Sequence, residues 1–426
     1  MKNPKIVVIG GGAAGMLAAG HAVECGAQVV LLEKGSKLAR KVRISGKGRC
    51  NITNTADMQE FIEAFAPNGR FLYGAFSRYF RDDILAFLHE MGVETKEERG
   101  GRVFPASDRA ADVVEAIEKW LESLGVRIKY NVTAKSIDVE DGRVTGVKLY
   151  GGRMDADAVV IATGGASYPK TGSTGDGYHM ARELGHTIVA PRPALSALVS
   201  SDDWVKDLQG LSLKNVEASL LVQNKGQDRP VKIASEFGEM LFTHNGVSGP
   251  IILTLSRKAG TLIGKGRVMV YIDLKPALSD EQLHQRLIRD FKQTRHLKNY
   301  LHGLLPRLMV DVFVHISGLD GDKPVNSVTA QERAKIVELL KDFRVNVARM
   351  GSLDEAIVTA GGVSIKEIDP RTMMSKLVRG LFFAGEVMDI DAETGGYNLQ
   401  AAFSTGYVAG EAAAEYIVEG FTRKLP

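Results

Sequence analysis

Gly10, Gly12 and Gly15 have the spacing G-x-G-x-x-G, directly after Lys5 and the apolar run Ile6-Val7-Val8-Ile9. Glycines so placed let a chain turn tightly out of a strand, bring its backbone against a pyrophosphate and pack a new helix hard against a sheet. The first N–H groups of that helix, at Ala13, Ala14 and Gly15, would face the phosphates, where the macrodipole contributes roughly half a positive charge. About twenty residues further on, Glu33 closes a second apolar run, Gln28-Val29-Val30-Leu31-Leu32; a carboxylate there accepts from ribose hydroxyls and repels a 2′-phosphate. The predicted chemistry is dinucleotide binding. The motif alone does not choose the dinucleotide.

Other candidate residues follow the same logic. Lys34 begins a basic stretch that continues through Arg40-Lys41-Val42-Arg43 to Ser45-Gly46-Lys47-Gly48-Arg49-Cys50-Asn51-Ile52-Thr53-Asn54, read as an ordered loop that clamps phosphate and ribityl groups. Two further apolar runs end, as the first does, in small residues. Ala158-Val159-Val160-Ile161 enters Ala162-Thr163-Gly164-Gly165, and Leu381-Phe382-Phe383 enters Ala384-Gly385-Glu386, with Asp389 close behind. Gly395-Gly396-Tyr397-Asn398-Leu399-Gln400 opens an alanine-rich helix expected to run to about Glu419. A second helix N-terminus would thus point at the sheet edge where ligands of open α/β sheets bind. For proton transfer the candidates are Tyr168, just past one strand end, and His244, inside the turn-forming cluster Phe242-Thr243-His244-Asn245-Gly246-Val247-Ser248-Gly249-Pro250. An imidazole with a pKa of about 6.5 suits acid–base work near neutral pH. Ser248 and Pro250 also fit the start of a helix.

The elements that must position these residues are legible in part. Apolar periodicity predicts helices over Phe61 to Met91 and Ala110 to Leu124. Val126 to Tyr130 reads as a strand. The turn signals Asp141-Gly142 and Gly151-Gly152 join Ser136 to Val139, Arg143 to Tyr150 and Arg153 to Asp157 into a three-stranded meander. Thr171 to Gly177 reads as an N-capped turn before a helix over Tyr178 to Leu184, and it also resembles the T-G-D-G segment of fumarate-reductase-type flavoproteins. Pro191-Arg192-Pro193 is expected to end the preceding element. Beyond it, strand-like runs at Ala218 to Val222 and Val268 to Asp273, with helices over Ser279 to Lys292 and Thr329 to Phe343, lack any βαβ rhythm. The expected organisation is an α/β fold, with a Rossmann-like domain over 1–193 and 358–426. Within it are inserted a β-barrel over 194–276 and 344–357 and a helical subdomain over 277–343.

A chain of 426 residues is long enough for two or three domains. Apolar residues at 44% and charged residues at 25% are ordinary for a globular protein, which excludes disorder and membrane classes from the reading. The net charge of +3 is the difference between 54 basic and 51 acidic residues and argues against a nucleic-acid partner. The N-terminal stretch holds five glycines by Gly20, then His21 and Glu24, so it reads as structure and not as a targeting segment. Cys25 and Cys50 form no C-x-x-C pair, no metal-ligand spacing is present, and a reducing cytoplasm is the expected compartment.

The three strand ends resemble the dinucleotide-binding, A-T-G and G-D motifs of two-domain FAD enzymes of the glutathione-reductase superfamily, with Glu386 where that superfamily usually has Asp. More closely, the chain resembles the YhiN/BaiN-type NAD(P)/FAD-dependent oxidoreductases over nearly its whole length. The most specific elements are Ser45 to Asn54, Ala162-Thr163-Gly164-Gly165-Ala166-Ser167-Tyr168-Pro169, Leu241 to Pro250 and Gly395 to Gln400. The resemblance implies FAD as the bound cofactor, Gly395 to Gln400 with backbone N–H groups near the flavin N1 and C2 carbonyl, and Val132 meeting the adenine edge through its backbone. It also implies hydride transfer between flavin N5 and a small organic substrate. Some relatives are linked to reduction of unsaturated bile-acid intermediates, others to oxidation of a small amine. No second G-x-G-x-x-G follows an apolar strand, so NAD(P)H would visit the flavin transiently as donor, or else oxygen or the substrate itself is the redox partner. A flavin-bearing tRNA-modifying protein is the remaining alternative, drawn from the basic run Arg40 to Arg49.

Overall fold

A computed structural model describes residues 5–422, with side chains as far as Val418. The chain divides into two compact units, Met1–Arg192 with Ile357–Pro426, and Pro193–Ala356.

In the first unit, β1 (Lys5–Ile9) is the centre of a five-stranded parallel sheet. On one side it pairs with β2 (Gln28–Glu33), which pairs in turn with Arg127–Tyr130; on the other lie Ala158–Ile161 and then Leu381–Phe383. Ile6, Val7, Val8 and Ile161 are fully or almost fully buried, as a strand covered on both faces requires. α1 (Ala13–Glu24) packs along the long helix Tyr397–Thr422, and small residues allow the close approach. A Cβ on Gly406 would lie 2.3 Å from Ala14 O, and one on Gly410 2.4 Å from Ala18 O. The meander forms as expected, from Ala134–Glu140, Arg143–Leu149 and Gly152–Asp155. Because all parallel strands run the same way, Ile9, Glu33, Ile161 and Phe383 end at one carboxyl edge.

The second unit is built on a closed barrel of Leu198–Ser200, Gly246–Ser248, Val231–Phe242, Ser212–Asn224, Gly266–Asp273 and Phe343–Met350. Helices Asp280–Asp290, Leu297–Leu301, Arg307–Ser317 and Ala330–Lys341 belong to the same unit. Ser279 and Thr329 each open a helix with a capping box.

Four local expectations are corrected. Phe61 to Met91 is not one helix but Met58–Ala64, a 3₁₀ turn at Gly69–Leu72, Tyr73–Arg78 and Arg81–Glu90. Pro67 cannot continue the first of these, and Gly69 packs so closely that a Cβ would lie 1.9 Å from Ile62 O. The basic segment after Glu33 is not all loop: α2 (Arg40–Gly48) begins it, and Ser45, Gly46 and Lys47 then leave helical geometry. The prolines at 191 and 193 do not end an element. They lie within the strand Ile188–Ala194 of a two-stranded sheet, where proline is tolerated because an edge need not donate. The turn before the helix Asp176–Glu183 also lacks a side-chain cap, Gly175 standing there in the left-handed region. Among the described residues no helix is long and apolar enough to cross a membrane.

Candidate active site

At the end of β1 the three glycines occupy three different environments. Gly10 has φ +104°, and a Cβ on it would lie 2.5 Å from Ala162 O. A Cβ on Gly15 would lie 1.8 Å from Gly10 O, so the helix can start this close to the strand only without one. At Gly12 an added Cβ would meet nothing within 4 Å. Gly12 is the N-cap of α1 and supplies no side-chain cap. The helix therefore presents its opening N–H groups, Ala13 to Gly15, beside a space that a side chain would fill. Such a cradle fits a pyrophosphate.

Glu33 ends β2 with 9% exposure and is held in place by two backbone donors, Gly11 N at 2.9 Å and Gly35 N at 2.6 Å. A carboxylate has about four lone-pair sites, so two remain for ribose hydroxyls. Val132 N donates to Glu33 O at 3.1 Å. Lys34 turns to Thr174 Oγ1 and to Asp176 Oδ2 at 2.6 Å.

The clamp segment is rigid for reasons of its own. Gly46, Lys47, Gly48 and Cys50 all have positive φ, and Ser45 Oγ donates to Val42 O at 2.8 Å. Its cations face carboxylates of this chain where the sequence suggested phosphates. Arg49 donates to Glu98 at 2.7 Å and Asp108 at 3.2 Å and lies 4.1 Å over the Phe104 ring; Arg43 reaches Glu118 at 3.3 Å. The Cys50 thiol is fully buried, and burial pushes its pKa up to about 12. With its amide oriented to suit its neighbours, Asn51 donates to Thr53 O and Val103 O and accepts from Gly396 N at 3.0 Å.

Four segments meet at Glu386. Its carboxylate accepts from Lys41 Nζ at 2.8 Å, Thr359 N at 2.8 Å and Ser167 Oγ at 3.2 Å, and Lys41 Nζ also reaches Ser167 Oγ at 2.7 Å. Thr359 Oγ1 accepts from Ala166 N at 2.9 Å and Ser167 N at 3.0 Å. Gly164, after Ala162 and Thr163, has φ +71°, and Gly165 lies so close to Thr359 that a Cβ would come within 2.4 Å of its hydroxyl. Lys41 and Ser167 stand in stretches that the sequence singled out, but their meeting with Glu386 was not foreseen; Thr359, in the buried strand Val358–Val363, was missed altogether. Asp389 accepts from Asn68 Nδ2 at 3.1 Å, and burial holds its carboxyl above the usual carboxylate range.

The long C-terminal helix is fixed at its start. Asn398 Oδ1 accepts from Ala392 N at 2.9 Å, Thr53 Oγ1 donates to Gln400 Oε1 at 2.7 Å, and Tyr397 meets the Phe61 ring edge-on at 4.7 Å. A Cβ on Gly396 would lie 2.3 Å from Thr53 O. The first N–H groups, at Tyr397, Asn398 and Leu399, have no carbonyl of their own helix to reach. Gly385 N donates to Thr405 Oγ1 at 3.0 Å, which ties the strand end Phe383 to the same helix. Tyr168 sits in the left-handed region at φ +50°, half-buried and unusual for a non-glycine residue. His244 belongs to the other unit, exposed in the turn closed by Thr243 N and Gly246 O at 2.8 Å.

Residues 4–412 match the family described as HI0933-like protein Rossmann domain. The chain is 31% identical, over 96% of its length and 99% of the relative's, to the 3-dehydro-bile acid delta(4,6)-reductase of Clostridium scindens. It is 29% identical, over 96% of its length and 98% of the relative's, to the ribosomal RNA dihydrouridine synthase of Escherichia coli strain K12. Among solved structures, the open conformation of a flavocytochrome c3 fumarate reductase superposes with a TM-score of 0.53 at 18% identity, over 97% of this chain and 78% of that one.

Proposed function

Because the chain belongs to the HI0933-like Rossmann family and is an FAD-dependent oxidoreductase, we propose that it reduces a carbon–carbon double bond conjugated with a carbonyl group. The two relatives' names describe substrates that look unlike each other, an unsaturated 3-oxo steroid acid and a uracil ring in RNA. Both contain an alkene polarised by a carbonyl, and both reactions add two hydrogens across it. That shared chemistry supports the reading better than either substrate does.

Bound along the carboxyl edge, FAD would supply the hydride from N5. The chain's own residues have the remaining work. Gly12, Ala13, Ala14 and Gly15 hold the pyrophosphate, Glu33 the adenosine ribose, and the Val132 backbone the adenine edge. Ser45, Gly46, Asn51, Ala162 to Gly164, Gly385 and Asp389 line the path of the ribityl chain. Glu386 is neutralised by Lys41, so it can accept from a ribityl hydroxyl without leaving a bare carboxylate beside the ring. The opening N–H groups at Tyr397, Asn398 and Leu399 stabilise negative charge at the pyrimidine end of the flavin, with Gln400 fixed behind them. Tyr168, half-buried and in the left-handed region a few residues past the strand end at Ile161, is the candidate to deliver the proton to the α-carbon. NAD(P)H is the proposed electron source, visiting without a Rossmann domain of its own.

The open cradle at Gly12 is the observation that carries the cofactor assignment. The test of the reaction is product mass. Under anaerobic conditions with NADPH or NADH, a 3-oxo-4-ene steroid or a uridine-containing RNA should gain about two mass units per double bond, one hydrogen coming from solvent. Consumption of NAD(P)H only when oxygen is admitted, with both compounds unchanged, would replace this reading by an oxidase.

A further inference from the structure

Arg192 stands between Pro191 and Pro193, whose rings fix the backbone on both sides of it. It belongs to the strand Ile188–Ala194, which pairs with Val358–Val363 in the two-stranded sheet. The two strands approach closely: a Cβ on Gly361 would lie 2.6 Å from Ala190 O. Two positions before Gly361 is Thr359, whose N–H donates to Glu386 and whose hydroxyl accepts from Ala166 N and Ser167 N. Two positions after Ala190 is Arg192. The fold thus brings a cation beside the cluster at the carboxyl edge. Arg192 is half-buried, and its Nη1 is enclosed with no hydrogen-bond partner among the described residues. A charged donor left in that state is costly, so its presence needs a reason.

The neighbouring groups do not supply the missing anion. Asp389 feels the Arg192 charge, but its Oδ2 already accepts from Asn68 Nδ2 at 3.1 Å, and burial with the charge of Asp391 holds its carboxyl above the usual range. Glu386 is taken by Lys41, Thr359 and Ser167. Tyr178, buried at 5% exposure, faces Glu386 and Asp389 as a neutral phenol, since burial and their charges push its pKa well up. An oxygen that becomes negative only during a reaction fits such a cation, because the guanidinium needs no rearrangement at the moment the charge forms. We propose that Arg192 is a catalytic residue that binds the substrate's carbonyl oxygen and stabilises the enolate charge developing there. Hydride from the reduced flavin adds to the β-carbon, the alkene electron pair moves towards the carbonyl oxygen, and a proton taken up at the α-carbon restores the carbonyl. Arg192 stays protonated throughout. This role in turnover rests on the reaction proposed above; the binding of an oxygen anion by Arg192 does not.

The test uses the oxidised, FAD-loaded protein and 4-chlorophenol, whose phenolate is a planar conjugated oxygen anion that cannot be reduced. A phenolate stacked on oxidised flavin gives a long-wavelength charge-transfer band, and its intensity against concentration and pH yields the affinity and the pKa of the bound phenol. In the wild-type protein the bound phenol should ionise at lower pH than in water, as a neighbouring cation requires. Arg192→Gln should bind the phenolate at least about tenfold more weakly and raise the bound pKa by about one unit, with FAD content and melting temperature unchanged. If that variant does not hold FAD, Arg192→Lys decides: it keeps the charge but loses the paired donors, and a loss of at least about threefold is expected. Absence of the band in the wild-type protein would overturn the proposal. So would an affinity and a bound pKa that the variants leave unchanged, which would make Arg192 a partner of Asp389 only. Phenolate binding that depends on Arg192, with flavin that neither a 3-oxo-4-ene steroid nor a uridine-containing RNA reoxidises, would remove the reaction and leave the anion site standing. Enone reduction as fast in Arg192→Gln as in the wild-type protein would do the reverse.

Discussion

Gly12→Val separates cofactor binding from folding. At Gly12 the backbone has φ −83° and ψ −173°, an extended conformation that valine adopts readily, and an added Cβ meets no protein atom within 4 Å. The substitution should therefore cost little stability. What it removes is the space into which Ala13 and Ala14 present their N–H groups. A hydrogen bond to a charged partner contributes about 1.5–3 kcal/mol, so displacing a pyrophosphate from about two such donors should cost about 3–6 kcal/mol. Each 1.4 kcal/mol is about tenfold in affinity, which places the loss at more than about a hundredfold. The assay is FAD affinity, from the quenching of flavin fluorescence on titration into apoprotein, with circular dichroism and melting temperature measured in parallel. Binding within about threefold of wild type would refute the cradle. Loss of fold would refute the claim that the space is empty of protein.

Three other outcomes follow from the same geometry. Gly15→Ala should fail to fold or lose several kcal/mol in denaturant titration, since its Cβ would lie 1.8 Å from Gly10 O; a normal melting curve would contradict the close packing. Glu33→Ala should weaken FAD by about 1.5–3 kcal/mol with only a small change in melting temperature, and an unchanged dissociation constant would make Glu33 a strand end without a ligand. The Cys50 thiol has a folded pKa raised to about 12 against an ordinary value of about 8.5, so above that ordinary value the unfolded chain loses its proton while the folded one keeps it. Stability should accordingly fall as pH rises from about 9 towards about 12, by up to about 1.4 kcal/mol per pH unit, and Cys50→Ala should lack that component; identical pH profiles would sink the assignment.

The residues legible in the sequence are those whose role depends on near neighbours. Gly10 to Gly15, the strand ends at Ile161 and Phe383, and the meander turns at Asp141-Gly142 and Gly151-Gly152 declare themselves within a few positions. The expected Rossmann-like sheet and inserted barrel are present in the structure. The cluster at Glu386 could not be read in this way, because Lys41 and Glu386 are 345 positions apart and an isolated lysine or threonine carries no mark of its partner. For the same reason Arg49 was legible as a cation but not as the partner of Glu98. The broken helices between Phe61 and Met91 were missed because apolar residues keep a helical rhythm through the breaks, although Pro67 and Gly69 marked the first.

The central claim, that this flavoenzyme gives hydride to a double bond conjugated with a carbonyl, is tested most directly by a single turnover without oxygen. The protein is reduced with one equivalent of NADPH or dithionite and mixed by stopped flow with a 3-oxo-4-ene steroid, or with a uridine-containing RNA, while the flavin absorbance near 450 nm is followed. The account predicts that oxidised flavin returns anaerobically with at least one of them, together with one equivalent of the dihydro product. Flavin that stays reduced with both and is reoxidised only by oxygen would contradict it.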